Sequence, residues 1–583
     1  MRFIVGVFLC LFLLFATAFA QGDRGTITGT VTDPAGAMIP NAAVEAKNTQ
    51  TGITFQTVSS VTGNYTLAQL PAGSYQLTVS STGFKQYVRT GLTVMVAQVL
   101  RIDVPLEVGS ISETVTVNAD APLLKTESGE LSHNVSTDRL EELPLMSTAG
   151  GIRNPYSVSQ LMPRAQSLSG TFGTFRVNGT PTATLALRVD GQDATQTAWS
   201  NAVGMSQPGV DAVEETAVQT SNYAAEYGQA GGGVFNMTMR SGTNNLHGSA
   251  YDYLRNEAIN AWAPYNNASK LTKPRDRRND FGFTAGGPVY IPKIYNGKDR
   301  TFFFWSYETN RQNTSVNSTW TVPTLAYRNG DFSSPDLWTK RKLGTDPLGR
   351  DILEGTIYDP STTSTRTGLD GKQYVMRDPF PGNKIPNFDQ RIDPVAKAYL
   401  NILNKNLVPT NQNTLYNYSV AYQNSPVTSI YSIKLDHSIN SKLKISGYWS
   451  LNDVFAMFPD GLQPPLTTQR NLYETTHTVR LNLDYSVTPT MMLHLGAGIM
   501  HFVFNDPPPL DGQYDSLKEL GLPNTYGKFY PTIYGLFQSL GGGMVSPSGQ
   551  GNTFGPVAHQ RAANPDNTHS RSAAALPILN RCS

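Results

Sequence analysis

Ser221 to Asn256, SNYAAEYGQAGGGVFNMTMRSGTNNLHGSAYDYLRN, is the stretch on which the organisation of this chain turns. It opens on small and polar residues, passes the triplet Gly231-Gly232-Gly233 and gives a short β-rich run from Val234 to Arg240. Ser241-Gly242-Thr243-Asn244 reads as a turn, and a new strand begins at Leu246. Small modules precede this seam, and long strand pairs with very long loops follow it. A glycine triplet also invites a phosphate-cradling reading. No Lys-Ser or Lys-Thr follows it and no helix opens there, so close backbone approach or a bulge beside a wall is the better account.

Downstream of the seam the side chains alternate with period 2. Val479, Leu481, Leu483, Tyr485 and Val487 interleave with Thr478, Arg480, Asn482, Asp484 and Ser486. Tyr431, Ile433 and Leu435 alternate with Ser432, Lys434 and Asp436, and Leu443, Ile445, Trp449 and Leu451 with Lys444, Ser446 and Ser450. In water this is a half-buried sheet; in a membrane it is a strand with lipid on one side and a lumen on the other. Each run is close to the ~9–11 residues that cross a bilayer at a tilt. Connection lengths favour the membrane, because Ser438–Lys442 and Thr488-Pro489-Thr490 are tight whereas Asn452–Thr476 and the segment from about Asn317 to Ser425 are long. Short turns at one end and long loops at the other are the asymmetry of outer-membrane barrels. The aromatic run Thr301 to Glu308 suits an interfacial girdle, with core packing as the other reading.

Upstream, Gly22 to Val108 reads as a small β-sandwich, with strands at Thr26–Thr32, Ala43–Lys47, Ser74–Val79 and Leu100–Leu106 between Gly- and Pro-rich turns. The β-branched stretch Glu113-Thr114-Val115-Thr116-Val117 follows, either the last strand of that sandwich or an exposed strand that another protein pairs with edge-on. Ala121 to Arg240 is mixed α/β: a short capped helix over Val135 to Pro144, strand-turn units ending in Asn178-Gly179 and Asp190-Gly191, and a helix-then-strand from Val210 to Ser221. The leader Met1-Arg2, apolar Phe3 to Phe15 and Ala18-Phe19-Ala20 before Gln21 read as a signal peptide.

With 45 basic against 44 acidic residues, no overall field recruits nucleic acid. Charged residues make up only 15% of the chain, against roughly 25% in soluble domains, as suits a β-protein with many turns. Two cysteines, Cys10 and Cys582, build neither a disulfide framework nor a metal cluster. The eight histidines are scattered, and His494 and His501, with no acidic or cysteine ligand near them in the sequence, are expected to face a lumen or an interface rather than hold a metal. No nucleophile elbow or zinc-protease motif is present, and the reading is of a non-enzyme without cofactors.

The seam residues Glu226-Tyr227-Gly228, Gly231 to Val234, Ser241 to Asn244, His247-Gly248-Ser249, Tyr251 and Arg255-Asn256 resemble the end of the plug and the start of the barrel in the Oar-like branch of TonB-dependent outer-membrane receptors. The resemblance continues through Phe281–Val289, Gly330-Asp331-Phe332-Ser333 and Arg377–Asn383. Gly29, Val31, Asp33, Gly36, Pro40, Ala43, Gly63, Tyr65, Leu70, Pro71, Gly73, Tyr75 and Gly83-Phe84 resemble the carboxypeptidase-regulatory-like domain, which has a carbohydrate-binding-like fold. The fold expected is therefore mainly β, with an N-terminal β-sandwich, an α/β plug and a partial antiparallel transmembrane β-barrel. The units expected are a signal peptide over 1–20, the sandwich over 21–108, a TonB-box-like linker over 109–120, the plug over 121–245, the partial barrel over 246–560 and an atypical tail over 561–583. In that family a stretch placed like Glu113 to Val117 is captured by the TonB-type energy-coupling protein, and the substrate is an iron chelate, an oligosaccharide or a peptide. Barrels of this kind have about 22 strands. About seven or eight strand candidates are legible here, and the tail lacks alternation, so a C-terminally truncated receptor is expected. An exported carbohydrate- or protein-binding adhesion protein and a non-functional receptor fragment are the alternatives.

Overall fold

A computed structural model of the protein describes residues 24–118, most of 127–264, 273–459 apart from 415, 461–462, 470–488, 491–505, 516–521 and 568–581. The first unit is a two-sheet sandwich. One sheet holds β1 (Gly25–Thr32), β4 (Asn64–Leu70), β7 (Val99–Arg101) and β8 (Val104–Pro105). The other holds β2 (Ala43–Asn48), β3 (Thr54–Val58), β5 (Gly73–Ser80), β6 (Gln86–Val94) and β9 (Thr114–Asn118), in the order β3-β2-β5-β6-β9. Alternate residues point between the sheets, so Ile27, Val31, Val44, Leu67, Leu77 and Val79 are at most 3% exposed, each contributing roughly 1.5–3 kcal/mol. The buried tyrosines keep their hydroxyls satisfied: Tyr65 donates to the Ile102 carbonyl at 2.7 Å and Tyr75 to the Pro71 carbonyl at 2.8 Å.

The second unit comprises β10 (Leu131–Ser136), β11 (Ala165–Ser167), β12 (Phe175–Val177), β13 (Leu185–Val189), β14 (Gln192–Asp193), β15 (Val213–Ser221) and β16 (Gly233–Met239). Five of these form a mixed sheet in the order β10-β15-β16-β13-β14, with β13 and β16 parallel. Its apolar side, with Leu187, Val189, Val213, Val218, Phe235 and Met237, packs with Tyr156, Val158 and, from the barrel wall, Tyr448. The helix-then-strand expected from Val210 is a 3-10 turn at Val210–Ala212 followed by β15. The helix expected over Val135 to Pro144 needs correction: Val135 and Ser136 end β10, and only Arg139 and Leu140 are helical among the described residues. Pairing with β15 decides the first two residues, overriding the local capping signal.

The third unit is a nine-stranded antiparallel sheet. It runs β17 (His247–Arg255), β18 (Asp276–Pro288), then, past the small hairpin β19 (Tyr290–Ile291) and β20 (Tyr295–Asn296), β21 (Thr301–Trp320). The next connection carries β22 (Lys342–Thr345), β23 (Asp351–Leu353), β24 (Tyr358–Thr367) and β25 (Gln373–Pro379). β26 (Tyr418–Asn424) pairs with the distal half of β21, and β27 (Val427–Ser438), β28 (Leu443–Phe458), β29 (Arg470–Thr488), β30 (Met491–Asn505) and β31 (Thr568–Arg581) complete the order. Two expectations change here. The tail expected to be atypical supplies β31, which pairs with β30 from Met491↔Arg581 to Phe504↔Thr568, because backbone hydrogen bonds need no side-chain alternation. The long connection after β21 is a folded body, with two hairpins, a helix Pro394–Asn406 capped by Asp393, and a core of Val322, Tyr327, Tyr399, Leu403 and Leu407.

This sheet is inverted relative to a soluble one. The buried side is polar: Ser432, Lys434, Ser446, Ser450, Asn452, Thr476, Thr478, Arg480, Asn482 and Asp484 are all under 9% exposed. The outward side is apolar, with Ile433, Leu435, Ile445, Trp449, Leu481 and Tyr485 between 36% and 54% exposed. Only a sheet that meets hydrocarbon outside and a polar filling inside is satisfied by that arrangement. The aromatic run on β21 divides by the same alternation: Phe302 and Phe304 are buried inward, whereas Trp305 and Tyr307 join Phe283 and Tyr431 in an outward cluster, with ring centroids 4.9 Å apart for Phe283–Trp305 and for Tyr307–Tyr431. No helix among the described residues is long and apolar enough to cross a membrane, which says nothing of strands.

Candidate functional site

The polar side of the sheet is a seat for the second unit, held by charges that each unit brings to the other. Arg153 donates from Nη2 to Asp211 at 2.8 Å and from Nε to Glu308 of β21 at 3.1 Å. The second Glu308 oxygen accepts from the Val210 amide at 3.0 Å, and the guanidinium lies 4.3 Å from the Tyr251 ring centroid. Arg153, Asp211 and Glu308 are at most 5% exposed, so each charge depends on the others for its solvation. A second grip closes on the Asp190-Gly191 turn, where Asp190 adopts φ 47°, a left-handed conformation that aspartate tolerates. Lys434 of β27 reaches Asp190 at 3.1 Å and the Met239 carbonyl at 2.8 Å; Asn482 donates to the Asp190 carbonyl, Gln192 donates to Asn482 at 2.7 Å, and Arg480 donates to the Asp193 carbonyl at 2.7 Å. Directional polar contacts of this kind fix a register.

The seam explains its glycines. A Cβ on Gly242 would lie 2.3 Å from the Phe303 carbonyl oxygen and 2.6 Å from that of Gly287, so the turn out of the second unit lies flat on the wall. Gly233 has φ 145° and a Cβ there would sit 2.8 Å from the Gln219 carbonyl oxygen. The amides of Gly231 and Gly232 donate to the Thr184 carbonyl at 2.7 and 3.0 Å, which leaves them no role with phosphate.

Of the residues singled out from sequence, Thr114, Val115, Thr116 and Val117 lie in β9, parallel to β6 in the register Gln86↔Thr114 to Thr90↔Asn118, with Glu113 in the bend before them. The stretch expected as part of a linker over 109–120 is thus the last strand of the sandwich sheet, with Val117 packed on the core. The other edge of β9 carries no strand among the described residues. Ala18, Ala20 and Gln21 lie outside the described residues. His494, which has no acidic neighbour along the sequence, does have one across the strands: it pairs with Asp484, Nδ1 to Oδ1 2.5 Å, because the β29–β30 register sets the two opposite each other. No group of three or more potential metal ligands occurs among the described residues. Sequence reading missed Arg153, Asp211, Asp190 and Glu308. The available signal was a charge on the lumen side of a membrane strand, as at Glu308, Lys434 and Arg480.

Fold and seat together define an antiparallel β-wall, apolar outside as in outer-membrane barrels, whose polar side holds a separately folded unit. Residues 238–572 match the model of the outer membrane beta barrel domain and residues 26–107 that of the carboxypeptidase regulatory-like domain. The chain belongs to the outer membrane beta barrel family. It is 28% identical over 300 residues to the TonB-dependent transporter Oar of Myxococcus xanthus, a match covering 50% of this chain and 28% of that protein. Among solved structures, the outer membrane transporter YddB of Escherichia coli aligns with 12% identity and a TM-score of 0.38 over 65% of this chain and 40% of that one. The siderophore receptor PirA of Pseudomonas aeruginosa aligns with 13% identity and a TM-score of 0.27, over 64% and 51%.

Proposed function

We propose that the chain acts as an energy-coupled outer-membrane receptor and transporter. The observation that carries this reading is the inverted wall, whose buried polar side grips a separate folded unit through Arg153–Glu308 and Lys434–Asp190. The folded loop body and the plug tips take substrate from outside, an iron chelate, an oligosaccharide or a peptide. A TonB-type energy-coupling protein captures the strand around Glu113, Thr114, Val115, Thr116 and Val117 by pairing with its free edge. The work comes from the inner membrane, so the cycle needs no nucleotide, metal or catalytic residue. The signal segment over 1–20, with cleavage between Ala20 and Gln21, and the plug over 121–245 belong to the same proposal.

Membrane fractionation tests the first part: heat-modifiable migration in detergent-extracted outer membrane is the expected result, and recovery as a soluble periplasmic chain would overturn it. Pull-down with the periplasmic domain of a TonB-type protein tests the second. Thr114→Pro with Thr116→Pro removes two backbone donors from the free edge of β9, leaving the Val115 and Val117 amides on β6, and is expected to weaken capture by roughly tenfold or more. Unchanged capture removes this strand from the mechanism.

A further inference from the structure

The five-stranded sheet of the sandwich has two edges, and they face different neighbours. One edge, β3 with the loop before it, lies on the plug-to-barrel turn and the barrel rim. Asn244 donates from its amide nitrogen to the Gln50 carbonyl at 3.1 Å and from Nδ2 to the Thr51 carbonyl at 2.9 Å. Lys444, one residue into β28, donates to the Thr54 carbonyl at 3.3 Å, and its ammonium lies 3.1 Å from the Phe55 ring centroid. Gly52 makes the approach feasible: it has φ 71°, and a Cβ there would lie 2.3 Å from Asp299 Oδ1. The sandwich also touches the plug, where the Val96 amide donates to Glu215 at 2.8 Å and Asn134 donates to both the Val96 carbonyl and Glu215. Val96 is 1% exposed where its backbone meets Glu215 and Asn134. Between these contacts a vestibule of about 860 Å³, lined by Gln50, Phe55, Thr238, Arg240 and Asp436 among others, lies against the inner face of plug and barrel.

We propose that the sandwich is a latch that holds the plug shut from the periplasmic side, docked by its β3 edge on Asn244 and Lys444 and by Val96 on Glu215. The contacts are polar, and with them goes the ion pair of Arg24, just before β1, with Asp484 of β29 at 3.5 Å; being polar rather than apolar, they are breakable as a set. The opposite edge of the same sheet is β9, with three strands between it and β3. A pull on β9 therefore reaches the barrel rim through a hydrogen-bonded sheet and undocks the sandwich before it loads the plug. The latch stands independently of what pulls it; only the release step rests on the reading of β9 as the captured strand.

The test uses the full chain extracted from outer membrane, with Cys582→Ser to remove the competing thiol and Val96→Cys as reporter of docking. Maleimide labelling is scored on the heat-modifiable, folded fraction only, which removes misfolded chains from the comparison. Asn244→Ala combined with Lys444→Met loosens the β3 edge without touching the sandwich core, and labelling of the introduced thiol is expected to rise at least roughly tenfold. An unchanged rate overturns the latch. Adding the periplasmic domain of a TonB-type protein to the otherwise unaltered reporter chain is expected to accelerate labelling, and to stop doing so with Thr114→Pro and Thr116→Pro. If that domain binds and labelling does not change, the release step is overturned while capture stands. If it does not bind, the capture reading falls, and the latch is judged by the Asn244→Ala, Lys444→Met result alone.

Discussion

At the scale of single residues, the contacts that unite plug and wall join positions far apart in the chain. Arg153 and Glu308 are separated by 155 positions and meet at 3.1 Å. Removing one member strands the other: Glu308→Ala leaves Arg153 buried with Asp211 alone and takes the acceptor from the Val210 amide. Breaking a buried pair costs about 3–5 kcal/mol, here toward the lower figure because Asp211 remains. Glu308→Gln keeps one acceptor oxygen, turns an N–H2 toward the other donor and removes the charge, and is expected to cost less than the alanine. Protease protection of the plug in folded, heat-modifiable protein measures this, with Glu308→Ala cleaved fastest, Glu308→Gln intermediate and the Arg153→Ala, Glu308→Ala double change milder than the sum of its singles. None of this pairing can be read along the sequence, because alternation reports which side a residue faces and is silent on what meets it there.

At the scale of elements, legibility follows the environment. The middles of β27, β28 and β29 are legible, since lipid on one side and a wet lumen on the other impose a strict period of 2. β28 runs on to Phe458 and β29 begins at Arg470, however, inside Asn452–Thr476, expected to be a loop. β9 is legible as a strand, but its pairing with β6 needs three-dimensional register. β31 has no alternation and is a strand through its partner β30 alone. The hairpins of the long loop escape because both their faces are wet. In β24–β25, Asp378 accepts from Arg366 at 2.7 and 2.6 Å and from Arg350 at 2.5 Å, and these guanidinium groups, Arg366 first, hold its carboxyl well below the usual range. A depressed folded-state pKa gives stability that is present above the unfolded value, about 3.9, and lost as pH falls through the folded one. Amide exchange in β25 is therefore expected to be the same relative to Asp378→Asn at every pH above about 5, with the native chain the better protected, and the difference to vanish only in strong acid. A difference already fading near neutral pH would assign the protection to other groups. In the sandwich, Leu77 on β5 is 0% exposed, and Leu77→Ala is expected to cost about 2–5 kcal/mol in thermal unfolding of that unit.

At the scale of the whole molecule, the deciding property is which side of the wall is dry. A soluble sheet buries its apolar side, whereas here the apolar side is the exposed one and the buried side carries Lys434, Arg480, Asn482 and Asp484. That inversion predicts opposite outcomes for substitutions at adjacent positions near the middle of β29. Leu481 faces outward at 54% exposure, while Asn482 faces the plug at 5%. Were the sheet in water, Leu481→Arg would be a harmless surface change, within about 0.5 kcal/mol, and would improve solubility. With hydrocarbon outside, an arginine near mid-membrane costs roughly 2–4 kcal/mol, and the heat-modifiable fraction recovered from the outer membrane falls severalfold. Leu481→Phe, which keeps the side apolar, is expected to leave recovery unchanged. Asn482→Leu inverts the logic, since an apolar gain on the lumen side takes the 2.7 Å acceptor from Gln192 and the Asn482 donor from the Asp190 carbonyl. Its expected signature is normal membrane recovery with a plug more open to protease, so the two neighbours separate insertion from plugging in one pair of measurements. Equal tolerance of Leu481→Arg and Leu481→Phe would mean that the outward side meets water.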